Sequence, residues 1–247
     1  MKTLLCWSGG KDSAFALEVG RSLEGIEIVG LLTTLSAEFD RISMHGVRRE
    51  LLEQQAEVLG LPVEKIFLPT PPPDAQCRMS AVATGYTVFA SNDSYETAML
   101  GALQRARESG VRGIVFGDIY LEDLRRYREM LLAKAGLQGI FPLWGRGSRE
   151  LVSQIIDGGI RATLVCVDSN RLDRSFCGRE LDHRLVAELP PETDPCGERG
   201  EYHTFVHQAP AFRRPIAFSK GECVWRKPFW FCDLAPVGAP ALLARTG

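Results

Sequence analysis

The strongest constraint lies at the start of the chain. An apolar run from Lys2 to Trp7 passes without a break into Ser8-Gly9-Gly10-Lys11-Asp12-Ser13 and then into the helical pattern of Asp12 to Leu23. A strand that enters a helix through two adjacent glycines turns backbone N–H groups outward at the helix N-terminus, and such a concavity binds phosphate. The string is not the Walker loop, which needs G-x-x-x-x-G-K-[ST]; here Lys11 precedes Asp12 and the glycines are adjacent. A bare Gly-Gly would read as an ordinary turn. The whole six-residue string in a strand-turn-helix setting points to a ligand.

The strand-helix alternation continues along the chain. Glu27 to Thr33 is a near-continuous apolar run, as in a strand buried on both faces, and a helix from about Val47 to Leu59 is closed by Gly60 and Pro62. A third strand spans Val63 to Leu68, a fourth Gly113 to Phe116, and a helix between Leu124 and Ala135 ends at Gly136. Residues 69–91 carry Thr70-Pro71-Pro72-Pro73-Asp74 and no period, which predicts a long loop of the kind that forms lids; Asp93 with Glu96 then reads as a capping box. The expected fold is α/β, a doubly wound parallel sheet. Beyond Ile140 the pattern loosens, with a short strand at Phe141 to Trp144, a helix at Ser148 to Ile156, a strand at Ala162 to Val167 and a coil-rich tail. This predicts two units, 1–140 and a smaller C-terminal α+β subdomain at 141–247.

Composition narrows the function classes. Lys+Arg 29 against Asp+Glu 31 gives a net charge of -2, so no basic footprint exists for neutralising phosphates and nucleic acid is not expected as the main partner. No apolar run approaches the roughly 20 residues of a membrane span. The start of the chain is too short for a signal-peptide core, so a cytoplasmic location is expected. The seven cysteines are scattered without a C-x-x-C, as expected of reduced, buried residues. A homo-oligomer is compatible with all of this.

The Ser-Gly-Gly-x-Asp-Ser string resembles the hallmark of the PP-loop ATP pyrophosphatases. Further pieces resemble the branch related to diphthine-ammonia ligase: Ser43-Met44-His45-Gly46, Gly117-Asp118-Ile119 with Arg125 and Glu129, Pro142-Leu143-Trp144, and Gly197-Glu198-Arg199-Gly200-Glu201-Tyr202-His203-Thr204. The resemblance implies a sheet ordered 3-2-1-4-5. It implies ATP cleaved between its α and β phosphates, a substrate carboxylate or carbonyl oxygen taking AMP, and ammonia displacing it. Ser8, Lys11, Ser13 and the amides of Gly9 and Gly10 are suited to pyrophosphate, and Asp12 to magnesium. Gly117 and Asp118 would lie beside the adenine, whose edge is read by backbone near Leu32 and Thr33, taken as the end of strand two. Asp118 reads equally as a turn residue.

Arg125 and Glu129 match the family and become candidates for substrate contact, whereas Arg126 and Arg128 read as a solvated helix face. Glu198, Glu201 and His203, with Thr204 on the substrate side, are suited to hold ammonium and take its proton. Lys11 is expected to be an exposed loop residue. Where the ligases carry Glu-Phe-Glu-Thr this chain has Glu201-Tyr202-His203-Thr204, so the acceptor is written as a carboxylate, with diphthine on a translation elongation factor as one candidate. Two rival readings are a nucleotide sensor without catalysis and a PP-loop tRNA-modifying enzyme.

Overall fold

A computed structural model describes residues 1–68 and 92–237. Its first sheet is assembled from strands too apolar to face water. β1 (Lys2–Cys6) lies between β2 (Glu27–Ser36) and β5 (Gly113–Val115), parallel to both, with Leu5, Leu31 and Ile114 fully buried. β4 (Val63–Leu68) adds outside β2, and β6 (Gln138–Ile140) adds outside β5. Counting the parallel strands alone, the order is 3-2-1-4-5, as the resemblance implied. A two-residue strand, β3 (Arg41–Ile42), also pairs antiparallel with the far end of β2.

The helices of this half are α1 (Lys11–Ser22), α2 (Arg49–Leu59), α3 (Asn92–Glu108) and α4 (Glu122–Ala135). α2 and α4 end on Gly60 and Gly136, both in the left-handed conformation that closes a helix by turning its last carbonyls back on N–H groups.

In the second half, α5 (Ser148–Asp157) precedes β7 (Arg161–Asp168), and α6 (His183–Glu188) is capped by the Asp182 side chain. The expected coil-rich tail is instead three strands: β8 (Tyr202–Gln208), β9 (Phe218–Arg226) and β10 (Phe229–Pro236). With β7 they form an antiparallel sheet ordered β8-β7-β10-β9. β9 carries no strand signal in its sequence because it is an edge strand that stays largely exposed, with no reason to alternate. The strand expected at Phe141 to Trp144 is a turn; pairing stops at Ile140, and Phe141 stacks on Phe116 at 5.3 Å instead. The loop at 69–91 and the Asp93 side chain of the capping box lie outside the described residues.

One hydrophobic core joins the halves. Leu5, Trp7, Leu17 and Leu51 belong to the same buried cluster as Leu151, Ile155, Leu164 and Phe205. That shared core brings β8 against the glycine loop at the carboxyl end of β1.

Candidate functional site

The loop between β1 and α1 is shaped by groups from across the chain. Gly9 has φ +78, a conformation other residues adopt at a cost, and a Cβ there would come within 2.8 Å of Gln55 Oε1. Gln55 is fully buried and all its bonds converge on this place. Its Oε1 accepts from Trp7 Nε1 at 2.9 Å, and its Nε2 donates to the carbonyls of Gly9 (3.0 Å) and Val206 (2.7 Å). The Val206 N–H in turn donates to Gly9 at 2.9 Å, so the outward groups of edge strand β8 are taken up by the glycine loop. Thr204 does the same one step along, its Oγ1 accepting from the Lys11 N–H at 3.0 Å. Ser8 and Ser13 face each other with oxygens 3.3 Å apart, and Ser13 also donates to the Gly10 carbonyl at 2.9 Å.

Lys11 and Asp12 open α1. Contrary to the expectation of an exposed loop lysine, the Lys11 side chain is 2% exposed. Its Nζ donates to both Asp12 oxygens, at 2.8 and 3.0 Å, and to the Cys196 carbonyl, and it lies 5.2 Å from the Tyr202 ring. Burial alone would strip its proton, but Asp12 above all holds it charged and raises its pKa. Burial likewise raises the Asp12 carboxyl, against the pull of Lys11.

Two further segments close over this point. Gly117 must be glycine because a Cβ would come within 2.9 Å of the Asp12 backbone. Glu198 reaches the same turn, its Oε1 accepting from Ile119 N at 2.8 Å. Burial pushes Glu198 up to about 8, and the nearby charge of Asp12 adds to the effect. Asp12 and Glu198, two carboxylates beside the glycine loop with the charge of Asp12 raising the cost of ionising Glu198, are the residues that could hold a magnesium ion. Among the described residues no group of three His, Cys, Asp or Glu could hold a metal by itself.

Residues 1–69 match the diphthamide synthase N-terminal domain, and residues 147–237 match the diphthamide synthase C-terminal domain. The diphthine-ammonia ligase of Danio rerio is 30% identical over 247 residues, covering 94% of this chain and 90% of that protein. The chain belongs to the diphthine-ammonia ligase family. Proteins of the same description from Bos taurus and Homo sapiens are 28% identical over 250 residues and 27% over 248, each covering 95% of this chain and 89% of the relative.

Within this member of the diphthine-ammonia ligase family, the expected site residues divide. Ser8 to Ser13, Gly117, Glu198 and Thr204 come together around the N-terminus of α1. Leu32 and Thr33 do not end a strand, since β2 runs on to Ser36; the Leu32 carbonyl is taken by Trp7 N at 2.8 Å, and the Thr33 hydroxyl donates to Trp7 O at 2.6 Å. Asp118 is buried in an ion pair with Arg128, Nε to Oδ2 2.7 Å, so Arg128 is a structural partner and not part of a solvated face. Arg128 also lies 4.4 Å from the Phe116 ring.

Arg125 pairs with Glu129 at 2.8 Å, and its guanidinium packs on Phe141 and Trp144 at 4.7 and 4.6 Å. Glu201 is fully buried and accepts from the Asp194 and Arg199 N–H groups at 3.2 and 3.0 Å and from Arg171 at 3.4 Å. It therefore ties residues 194–201 into one turn. His203 is half-buried, its ring tilted against that of His45 with centroids 4.7 Å apart.

Sequence reasoning missed Gln55, Asp194 and the role of His45. Asp194 organises the turn from inside, accepting from Cys196 N, Glu198 N, Tyr120 Oη and Ser148 Oγ at 2.8 to 3.2 Å. A lone Asp among prolines gives no local signal of four partners; of the three, His45 alone stands within a family motif, Ser43-Met44-His45-Gly46.

Proposed function

We propose that this chain activates a carboxylate with ATP and amidates it with ammonia, releasing AMP and pyrophosphate. The observation that carries the reading is the convergence of a buried, charged Lys11 with Asp12 and Glu198 at a glycine loop held open by Gln55, Thr204 and Val206. Lys11 and the loop amides hold the departing pyrophosphate, where positive charge matters most as the α–β bond breaks. Asp12 would hold magnesium, whose charge would neutralise the phosphate oxygens. Glu198 keeps the 117–120 turn against the loop and, with its proton affinity raised, accepts or returns a proton near neutral pH. Glu201 acts through the turn that it fixes. Arg125, Glu129 and Thr204 are assigned to the acceptor side, Gly117 and Asp118 to the nucleotide edge.

In this reading residues 1–140 supply the nucleotide site and residues 141–247 the acceptor site. The acceptor is a carboxylate of the diphthine kind carried on a translation elongation factor, and the work is cytoplasmic; among the described residues no helix is long and apolar enough to cross a membrane. The test is product analysis. The full chain incubated with magnesium, ATP, ammonium and candidate carboxylates is expected to form AMP and pyrophosphate in equal amounts. ADP as the stoichiometric product would overturn the reading.

A further inference from the structure

The second sheet has two edges, and only one of them is taken. β8 gives outer groups to the glycine loop, whereas β9 pairs with β10 on one side and meets no other strand among the described residues. An open edge is a row of unpaired N–H and C=O groups, a template for a further strand. On β9 it also carries apolar surface: Val224 and Trp225, adjacent in the chain, are 41% and 53% exposed.

The pairing with β10 decides which part of that edge is regular enough to be used. Cys223 to Arg226 lie one to one against Cys232 to Phe229, but the next pair is Lys220 with Leu234, so Gly221 and Glu222 together oppose Asp233 in a bulge. The strand ends at Arg226. What remains for a further strand is the run from Glu222, at the bulge, to Arg226, and its midpoint is Val224. By the two-residue period Glu222, Val224 and Arg226 share one face, and Cys223 and Trp225 share the other. Glu222 and Arg226 are both exposed, and neither has an ion-pair partner among the described residues.

These two charges select the occupant. Two copies joined edge to edge about a twofold axis normal to the sheet run antiparallel, and the axis passes through a residue position, because only then do facing side chains lie on one face. An axis at Glu222 sets the two glutamates against each other, and one at Cys223 sets Lys220 against Arg226 of the second copy; like charges directly opposite are destabilising. An axis at Gly221 or earlier leaves Trp225 beyond the pairing, and one at Trp225 or later leaves Glu222 beyond it. An axis at Val224 uses every position. Glu222 then faces Arg226 of the second copy and Arg226 faces its Glu222, Cys223 and Trp225 meet crosswise, and Val224 meets its twin.

We propose that the β9 edge is the contact between two copies of this chain, which pair antiparallel about a twofold axis at Val224 and join their second sheets into one continuous sheet. Exposed ion pairs add little cohesion, so the two Glu222–Arg226 contacts set the register, while covering Val224 and Trp225 supplies the attraction. This contact stands apart from the amidation reading.

The experiment is sedimentation equilibrium of the full chain over a wide concentration range, with circular dichroism confirming that each variant is folded. The parent chain is expected to show a monomer–dimer equilibrium. Glu222→Arg and Arg226→Glu should each weaken it about tenfold or more, since every change acts twice across the axis, and the double variant should restore it. Val224→Lys should leave a monomer. Under mild oxidation Val224→Cys should form a disulfide-linked dimer that the parent, with its native cysteines, does not, because this register alone brings residue 224 onto its twin. A parent chain that stays monomeric, a dimer indifferent to Val224→Lys, a double variant that fails to restore pairing, or no added cross-link from Val224→Cys would each overturn the proposal. A dimer with all these properties that forms no AMP would leave the contact standing and refute the ligase reading alone.

Discussion

Gln55→Leu is the sharpest test of how the glycine loop is held. The substitution roughly preserves volume and removes three buried hydrogen bonds, to Trp7 Nε1, Gly9 O and Val206 O. Gly9 O keeps its bond from Val206 N, so two groups are orphaned: the indole N–H and the Val206 carbonyl. At about 1–3 kcal/mol for each unsatisfied buried group the loss is about 2–6 kcal/mol. A domain with about 5–15 kcal/mol in hand should still fold, with a large fall in its urea midpoint.

The companion Gln55→Glu fixes the direction. A glutamate here faces two carbonyl oxygens, so its folded pKa must rise above about 4.3, the unperturbed value. A raised folded pKa means stability present at low pH and lost as pH rises through it, so this variant should be less damaged at pH 5 than at pH 8. Urea unfolding followed by circular dichroism at the two pH values measures both effects. A Gln55→Leu loss below about 1 kcal/mol would refute the assignment of the loop's shape to this amide.

Lys11→Ala should abolish AMP formation and, because Lys11 is buried on Asp12, should also lower the thermal midpoint by an amount equivalent to about 1–3 kcal/mol; normal turnover would remove it from the mechanism. Asp118→Asn should cost about 3 kcal/mol, the low end for a broken buried pair, since Arg128 keeps 21% of its side chain exposed; a neutral result in urea unfolding would return Arg128 to the solvated face. Glu198, held at about 8 in the folded chain, makes stability fall as pH rises from the usual carboxylate range toward 8. Glu198→Gln should flatten that dependence, and an unchanged slope would place its origin elsewhere.

The first half was legible because its signals are local. Ser8 to Ser13 sits between a strand and a helix within one short window, and the strands either side of it are apolar enough to be read directly. The second half was not, for two physical reasons. β8 is flanked by Gly197, Gly200 and prolines, which read as coil, yet it is ordered by pairing with β7 and by the glycine loop. The polar framework works at long range, Gln55 reaching Val206 and His45 reaching Thr204 across more than a hundred residues. Arg128 failed for a third reason: helix spacing gives a face, but only the partner packed on it decides whether that face is wet.

β8 presents its outer edge to the glycine loop instead of to water, and that arrangement makes the two halves one instrument. Severed from Thr204 and Val206, the loop would lose the bonds at the Lys11 N–H and the Gly9 carbonyl that those residues supply, and would keep only those from Gln55 and from within itself. Tightening on one side is therefore felt on the other. A nucleotide that stiffens the loop also stiffens the strand bearing His203, so an acceptor should meet a more ordered surface after ATP has arrived, giving an order of binding without any hinge.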